Sequence, residues 1–446
     1  MSKHFRPWNI DQTLLLPPSV QDFVSKDHVS RFIVGLARES LDLRAITGNY
    51  VSGLGQPPFD PRMMVALLLH GYASGLYSSR RIARACCERN DFVMIVALDP
   101  PDFRTISDFR KRHLKALGEL FLQVLKLCET AGLVKLGHVA LDGTKIKANA
   151  SKHKAMSYER MKKREAELKA DVACMLAAAE AADAQEDETF GKDKRGDEMP
   201  DWASDKKKRL AKIQEAMAAL EAEAKLAAEE ERRIEAEKEQ QRNAEGRKKP
   251  GKPAAPPSDQ PDPKAQRNFT DPESRIMKSK EGFVQAYNAQ AAVDADAQII
   301  VAHELTQCGS DHGQLVPLVE AIENNLGRKP QQASADSGYC SEPNLEALVA
   351  RGIDGYVAPG RAKHPAAVNG KAGPLTQLMR KKIDDGGFET PYRLRKQVVE
   401  PVFGQIKEAR GFRQFLLRGV EKVRAEWAMI CTTHNLLKLF VLAKAA

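Results

Sequence analysis

Apolar residues recur at helical spacing throughout the first 135 residues of the chain. The segments VSRFIVGLARESLD and PRMMVALLLHGYASGL both place apolar side chains every three or four positions, which is typical of amphipathic helices. Pro61 stands at the first turn of the second segment, where proline is well tolerated. The pattern predicts an all-helical N-terminal domain over residues 1–135.

Arginines lie beside candidate helix caps in the second half of this domain. Ser78 or Ser79 would cap one helix, and Thr105 or Ser107 would cap a later one. Short helices joined by tight turns favour a helix-turn-helix-like DNA-binding unit, although any small helical bundle shows the same features. The arginines that would contact DNA follow Ser78 directly: Arg80, Arg81 and Arg84.

Strand-like runs alternate with helices on both sides of a long charged segment. GHVALDGTKIKANAS begins as an apolar strand that would end at Asp142. From residue 268 the chain continues with two strands joined by DADAQ and with a helix ended by Gly327. A strand ending at Asp336, a helix and a further strand follow. The alternation predicts an α/β domain with a mixed sheet, formed by residues 136–151 and 268–446.

The charged segment interrupts this domain. Glu, Lys and Ala dominate residues 152–245, which predicts long helices arranged as a coiled-coil-like hairpin, loosely packed because Ala replaces Leu. Residues 246–267 are rich in proline and are interpreted as an extended linker. We therefore expect an insertion that carries no catalytic residue.

Composition adds a basic C-terminal region to this picture. The chain has 446 residues, enough for about three domains, and a net charge of +9. Residues 361–446 contain 17 Lys and Arg against 7 Asp and Glu, so 17 − 7 = +10 and this region accounts for the excess. Such a region favours a polyanionic partner, usually nucleic acid, over a role in solubility alone.

The remaining composition indicates where the protein acts. No apolar run reaches the roughly 20 residues needed to span a bilayer, and the start, MSKHFRPWNIDQ, lacks the apolar core of a signal peptide. These features predict a cytoplasmic protein. The seven cysteines are odd in number and show no CxxC spacing, which favours reduced thiols over a zinc site or disulfides.

One acid stands among basic residues in KQVVEPVFGQIKEARGFRQFLLRG, residues 396–419. Helical spacing predicts that Glu400 shares a face with Lys396 and Lys407, beside an apolar stripe that docks on a core. Pro401 should kink this helix or mark its start. Taken alone, the stretch is explained better by an ordinary amphipathic surface helix with solvated ion pairs.

Two further acids change that interpretation. Asp142 and Asp336 end strands that are far apart in sequence, whereas Glu400 lies on a late helix. Carboxylates are the ligands that Mg²⁺ prefers, and a two-metal site for phosphoryl chemistry needs acids that converge from separate elements. With a basic surface to hold phosphates, the combination favours a metal-dependent enzyme acting on nucleic acid.

The acids lie in motifs that resemble a known family. LDGTKIKANAS, ADSGYCS and VVEPVFGQIK with GFRQFLLRG look like the three acidic motifs of bacterial insertion-sequence transposases of the DDE type. PPFDPRMMVALLLHGYASGLYSSRRIARAC and PDFRTISDFRKRH are similar to the helical N-terminal domain of the same transposases. The resemblance covers nearly the whole chain apart from the insert and linker, and it implies a ribonuclease-H-like catalytic domain.

The resemblance also implies a catalytic set. Asp142, Asp336 and Glu400 would be the three acids, holding Mg²⁺ (or Mn²⁺) that activates water to cut DNA at the element's end. The freed 3′-hydroxyl would then attack target DNA. Many relatives have Tyr-Arg-Glu-Lys on the last helix. Lys407 fits that pattern, whereas position 396 is Lys and Tyr392 stands one place early. The residues expected to contact phosphates are Lys145, Lys147, Arg395, Lys396 and Lys407.

The partners implied are double-stranded DNA, as element ends and target, and a second copy of the chain, because two ends must be held together. A bacterial, nucleoid-associated location follows from the same resemblance. Two other functions stay open: a ribonuclease-H-like nuclease that cuts without joining, and a non-catalytic DNA-binding relative. Glu426 is the strongest rival for the third acid. Asp311 with His312 is interpreted as a helix cap rather than a metal site.

Overall fold

A computed structural model describes residues 19–50, 57–190, 201–244, 256–279, 282–360, 373–386 and 390–445. Residues 246–255 of the predicted linker lie outside the described residues. The helices are α1 Val29–Gly35, α2 Arg44–Thr47, α3 Pro61–Ala73, α4 Ser79–Glu88, α5 Asn90–Val96, α6 Phe103–Arg112, α7 Leu114–Thr130, α8 Tyr158–Phe190, α9 Asp201–Ala244, α10 Leu315–Leu326, α11 Glu342–Ala350, α12 Pro374–Asp385, α13 Pro391–Gly404 and α14 Val420–Ala445. The strands are β1 His138–Lys147, β2 Ala155–Ser157, β3 Gln266–Asn268, β4 Arg275–Ser279, β5 Gly282–Asp294, β6 Ile300–Thr306, β7 Gln332–Ala335 and β8 Asp354–Val357.

Local chemistry fixes the starts of the N-terminal helices. Asp60 caps α3 by accepting a hydrogen bond from the Arg62 amide at 2.8 Å, and Pro61 occupies the first turn as predicted. The prediction of a Thr105 or Ser107 cap for α6 is wrong. Asp102 caps this helix because its Oδ1 accepts from two amides, those of Arg104 at 2.6 Å and Thr105 at 2.9 Å.

The central sheet is mixed, as the sequence predicts. β1 pairs antiparallel with β5 on one side and parallel with β7 on the other, and β8 continues the parallel part. The far edge of the long strand β5 pairs with β4 and then with β6. β1 therefore lies in the middle of the sheet, where both of its edges are hydrogen-bonded.

The prediction that β1 ends at Asp142 is wrong. β1 continues to Lys147 and stays paired with β5 over the register from Val139↔Asp294 to Lys147↔Ala286. Gly143 does not break the strand, because its missing side chain leaves room for Gln290 on the neighbouring strand. Asp142 thus projects from the middle of a strand rather than from a turn.

The predicted helix over residues 396–419 is shorter and begins earlier. α13 starts at Pro391, passes through Pro401, continues as a π-helical turn, Gln405–Ala409, and ends before Gly411, whose φ is +74°. Pro401 has no N–H to donate to the carbonyl of Gln397. The Gln298 side-chain amide donates to that carbonyl instead, at 3.1 Å, so the helix continues.

One hydrophobic core joins the N-terminal helices to the sheet. It extends from Ile33 on α1 to Leu439 on α14. The Phe121 ring on α7 contacts His303 on β6 edge-on at 4.4 Å, and Tyr77 stacks on Phe412 at 4.2 Å. The boundary predicted at residue 135 stays a prediction, but helices on both sides of it share the same core.

The charged segment forms two long helices that pack on each other. A second, small core joins α8 to α9, and it includes Met161, Leu168, Ile213 and Leu220. β2 and β3 pair at the base of this hairpin. Within the described residues, no helix is long and apolar enough to cross a membrane, and all seven cysteines are free thiols.

Candidate active site

The parallel register of β1 and β7 brings two predicted acids side by side. Ala140 pairs with Ser334, an offset of 194 residues. The same offset places Asp142 opposite Asp336, since 336 − 142 = 194. Neighbouring residues in register point to the same face of a sheet. The two carboxylates therefore lie on one face, where the parallel pairing of β1 with β7 ends and Asp336 directly follows β7. This edge is where α/β sheets commonly bind ligands.

Each acid accepts a hydrogen bond from the backbone of a glycine that follows it. The Gly143 amide donates to Asp142 Oδ1 at 2.9 Å. Asp336 caps the short 3₁₀ turn Ser337–Tyr339, and its Oδ1 accepts from the Gly338 amide at 2.8 Å. Both side chains thus keep a fixed direction.

A guanidinium from α13 contacts the first acid. Arg395 is 7% exposed and donates to Asp142 Oδ2 at 3.1 Å. Burial raises the pKa of Asp142 to about 6. The charge of Arg395 opposes that rise, and the negative charge of Asp336 adds to it. The two carboxylates therefore repel each other electrostatically, and together they attract cations.

Glu400 lies on α13, five residues after Arg395, and its side chain is exposed. At 100° per residue, Lys396 lies on the same side of α13 as Glu400, whereas Lys407 lies on the π-helical turn that follows. The Lys407 ammonium donates to Thr144 Oγ1 and, at 3.2 Å, to the Lys145 carbonyl. Lys407 therefore reaches the part of β1 that follows Asp142, whereas Glu400 lies about 140° round α13 from Arg395, the residue that contacts Asp142.

A second polar cluster lies on the opposite face of β1, and sequence reasoning missed it. Asp311 Oδ1 accepts hydrogen bonds from the side-chain amides of Asn288 at 2.6 Å and Gln290 at 2.7 Å, and from the Lys145 ammonium at 3.1 Å. The Tyr339 hydroxyl donates to Gln290 Oε1. Asp311 is thus not a helix cap. Its partners come from separate strands, so no local sequence signal pointed to this cluster.

The predicted phosphate-contacting residues differ in exposure. Lys147 and Lys396 are exposed, whereas Arg395 is buried against Asp142 and Lys145 is held by Asp311. On the N-terminal helices, three arginines are exposed along α4, namely Arg80, Arg81 and Arg84. Arg80 lies over the Phe103 ring, and Arg84 pairs with Glu88.

Glu426, the rival third acid, has a structural role. It is 1% exposed, and its carboxylate accepts hydrogen bonds from the Leu416 and Leu417 amides at 3.0–3.1 Å. Burial raises the pKa of this carboxyl. It ties the segment after α13 to α14.

Over the described part of the chain, no group of three or more His, Cys, Asp or Glu side chains is arranged to hold a metal ion. The structure brings Asp142 and Asp336 together. Glu400 as a third ligand stays a prediction.

Comparisons with known proteins assign a class to this arrangement. Residues 18–112 match the family described as "Transposase domain (DUF772)", and residues 361–440 match "Transposase DDE domain". Together the two matches support an insertion-sequence transposase of the DDE type, which confirms the resemblance seen in the sequence motifs. The second match contains Arg395, Glu400 and Lys407 but neither Asp142 nor Asp336. No curated protein and no solved structure matches the chain.

Proposed function

We propose that this transposase cuts double-stranded DNA at the ends of its element and joins the freed 3′-hydroxyl to target DNA, using Asp142, Asp336 and Glu400 as metal ligands. The observation that carries the proposal is the closeness of the two acids: the parallel register of β1 and β7, extended by two residues, brings Asp142 level with Asp336, and burial together with the charge of Asp336 raises the pKa of Asp142. The sheet, with β1 at its centre, supports the ribonuclease-H-like fold that the sequence resemblance implies.

The residues present suit a divalent cation. Two carboxylates on one face supply hard oxygen ligands of the kind that Mg²⁺ and Mn²⁺ prefer. A buried carboxylate with its pKa raised by burial and by a second acid gains most from a nearby positive charge. Arg395 supplies such a charge in the structure. When bound, Mg²⁺ would lower the pKa of a water molecule and polarise a phosphate oxygen.

Side chains of the chain itself would orient the DNA. Lys407 donates hydrogen bonds to Thr144 and to the β1 backbone, so its charge lies near the face of the sheet that carries Asp142 and Asp336. Lys396 and Lys147 offer exposed charges on either side. Phosphate contacts of this kind position a duplex without reading its sequence. Arg395 and Lys145 would contact phosphates only after leaving their present carboxylate partners.

Recognition of the element's ends would fall to the N-terminal helices. Arg80, Arg81 and Arg84 form an exposed basic ridge on α4, close to the segment Gly411–Phe412, because Tyr77 contacts both of those residues. We propose that the protein acts as a homodimer or larger assembly on DNA, since two ends must be joined in one reaction.

The first test compares wild type with Glu400→Gln on labelled DNA that carries the element's ends, with Mg²⁺ added. We expect cleavage and joining to vanish while DNA binding survives. Glu408→Gln is the matched control, because Glu408 is an exposed acid on the adjoining π-helical turn, paired with Arg413. Its activity should equal that of wild type.

Each other outcome has a separate meaning. Cleavage that persists in Glu400→Gln would remove Glu400 from the ligand set. Cleavage by wild type without joining of a 3′-hydroxyl oligonucleotide would favour the nuclease. DNA binding without any Mg²⁺- or Mn²⁺-dependent cleavage would favour a non-catalytic relative.

A further inference from the structure

The face of the sheet opposite Asp142 carries a connected polar network. Successive residues of a strand point to opposite faces, so Gly143 and Lys145 lie on the face away from Asp142. Asp311 is the centre of this network, and its side chain is 18% exposed. Three donors from β1 and β5 converge on its Oδ1, at 2.6–3.1 Å. Charge-assisted hydrogen bonds of this kind are short and directional.

Asp311 also fills the space beside two glycines. A Cβ on Gly143 would lie 2.8 Å from Asp311 Oδ1 and 2.2 Å from Gln290 Nε2. A Cβ on Gly338 would lie 3.5 Å from Asp311 Oδ2 and 3.0 Å from Asp336 Oδ1. Gly143 directly follows Asp142, and the Gly338 amide holds Asp336. The Asp311 carboxylate therefore lies against both segments that carry the acid pair.

A chain of hydrogen bonds connects Asp311 to the second acid. Gln290 donates to Asp311 through Nε2 and accepts from the Tyr339 hydroxyl through Oε1. Tyr339 belongs to the 3₁₀ turn that Asp336 caps, and it is fully buried. The backbone carbonyl of Gln290 also accepts from Trp427 Nε1 at 3.0 Å. Hydrogen bonds therefore hold both the backbone and the side chain of Gln290.

From this geometry we propose that Asp311 is a positioning residue: it fixes the separation of Asp142 and Asp336 by bracing the two glycine-containing segments against β5. The inference rests on the proposed function, since the separation matters for metal-dependent cleavage. Asp311 touches neither DNA nor the reacting atoms in this role. A displacement of about 1 Å at a reacting centre can cost about 100-fold in rate.

The main test is Asp311→Asn, studied by single-turnover cleavage at saturating DNA and Mg²⁺. Asparagine keeps the size of the side chain and one acceptor oxygen, but it removes the negative charge and places an NH₂ donor where Oδ2 accepts from Lys145 at 3.3 Å. We expect the rate constant to fall about 100-fold with DNA affinity unchanged. Partial unfolding would instead lower the amplitude of the reaction at an unchanged rate constant. Asp171→Asn, which removes an exposed partner of Lys206 on the insert, is the control.

A second variant keeps the test decisive if Asp311→Asn folds poorly. Tyr339→Phe preserves the buried ring and removes only the hydroxyl that links Gln290 to the Asp336 turn. We expect the same signature, a slower rate constant at full amplitude, with a smaller change of about tenfold.

Two results would overturn the inference while the proposed function stands. One is an active wild type whose rate constant is matched by both Asp311→Asn and Tyr339→Phe. The other is full rescue of Asp311→Asn by Lys145→Gln, which would mean that Asp311 only neutralises Lys145. A wild type without metal-dependent cleavage would overturn the proposed function, and this inference with it.

Discussion

The central sheet and the charged hairpin are built in opposite ways. Around β1, side chains from strands, turns and α13 converge on a few buried polar groups, such as Asp142 and Asp311. In the hairpin, two helices contact each other through a thin row of Met, Leu, Ile and Ala, and the ion pair between Lys206 and Asp171 is exposed. Single substitutions should therefore have large effects in the sheet and small effects in the hairpin.

The largest difference should come from Asp142→Asn. The substitution removes one charge of the acid pair while keeping the side chain's shape. We expect cleavage to fall by at least about 1,000-fold, because Asp142 is a proposed ligand of a metal ion that would supply several kcal/mol of transition-state stabilisation. Glu167→Gln on α8, which removes the exposed partner of Arg164, is the hairpin counterpart and should leave cleavage unchanged. Single-turnover assays with both variants measure the contrast, and equal losses would contradict it.

Gly143→Ala should have the next largest effect, on stability. The added Cβ would lie 2.2 Å from Gln290 Nε2, inside the polar network. Overpacking of this kind costs about 1–3 kcal/mol. Gly137→Ala is the control, because a Cβ there meets no atom within 4 Å. Urea unfolding followed by circular dichroism measures both, and an unchanged midpoint for Gly143→Ala would show that the network yields easily.

Acid should weaken the sheet more than the hairpin. Burial lowers the pKa of His303 on β6 to about 4, below its ordinary value of 6.5. Between these two pH values His303 binds a proton more readily in the unfolded chain than in the folded one. The stabilisation of the folded state by neutral His303 is therefore complete above pH 6.5 and is lost as the pH falls towards 4. From pH 7.5 to pH 5 this amounts to about 2 kcal/mol. Residues 158–244 contain no histidine.

His303→Leu tests this pH dependence. The variant should lose less unfolding free energy than wild type between pH 7.5 and pH 5, whereas His153→Leu, at an exposed position, should behave like wild type. Chemical unfolding at both pH values gives the comparison. Equal pH dependence in all three proteins would mean that His303 does not limit acid stability.

The smallest effect on cleavage and on the sheet is expected for Leu168→Ala in the hairpin core. Leu168 is 1% exposed, so its truncation should cost the hairpin about 2–3 kcal/mol. The sheet does not depend on this contact, so cleavage and sheet stability should stay at wild-type values. Hydrogen exchange resolved by peptide measures this directly. Faster exchange confined to residues 158–244 is the expected result, and faster exchange in β1 would contradict the separation.

The sequence predicted what depends on neighbouring residues. Pro61 marks the start of α3, and Gly327, in the left-handed conformation, marks the end of α10, because such signals act within one turn. The sequence also predicted that Asp142 and Asp336 belong together. The continuation of β1 past Asp142 was missed, since it depends on pairing with β5.

Features that depend on distant residues could not be read from the sequence. The Gln298 amide that lets α13 pass through Pro401 comes from a hairpin about one hundred residues earlier in the chain. Asp311 looked like a helix cap because its partners Asn288, Gln290 and Lys145 are spread over two strands. The shared core of the N-terminal helices and α14 was missed for the same reason.

The surroundings of Asp142 are completed late during synthesis of the protein. Asp142 leaves the ribosome early, whereas its partner Arg395 follows more than 250 residues later. The N-terminal helices must also wait for α14, the last helix, before their core is complete. A prematurely terminated chain that stops before residue 395 therefore cannot form the Asp142–Arg395 pair, and its exposed helices would be a substrate for chaperones and proteases. The Asp142–Arg395 pair therefore exists only in chains that have been translated beyond residue 395.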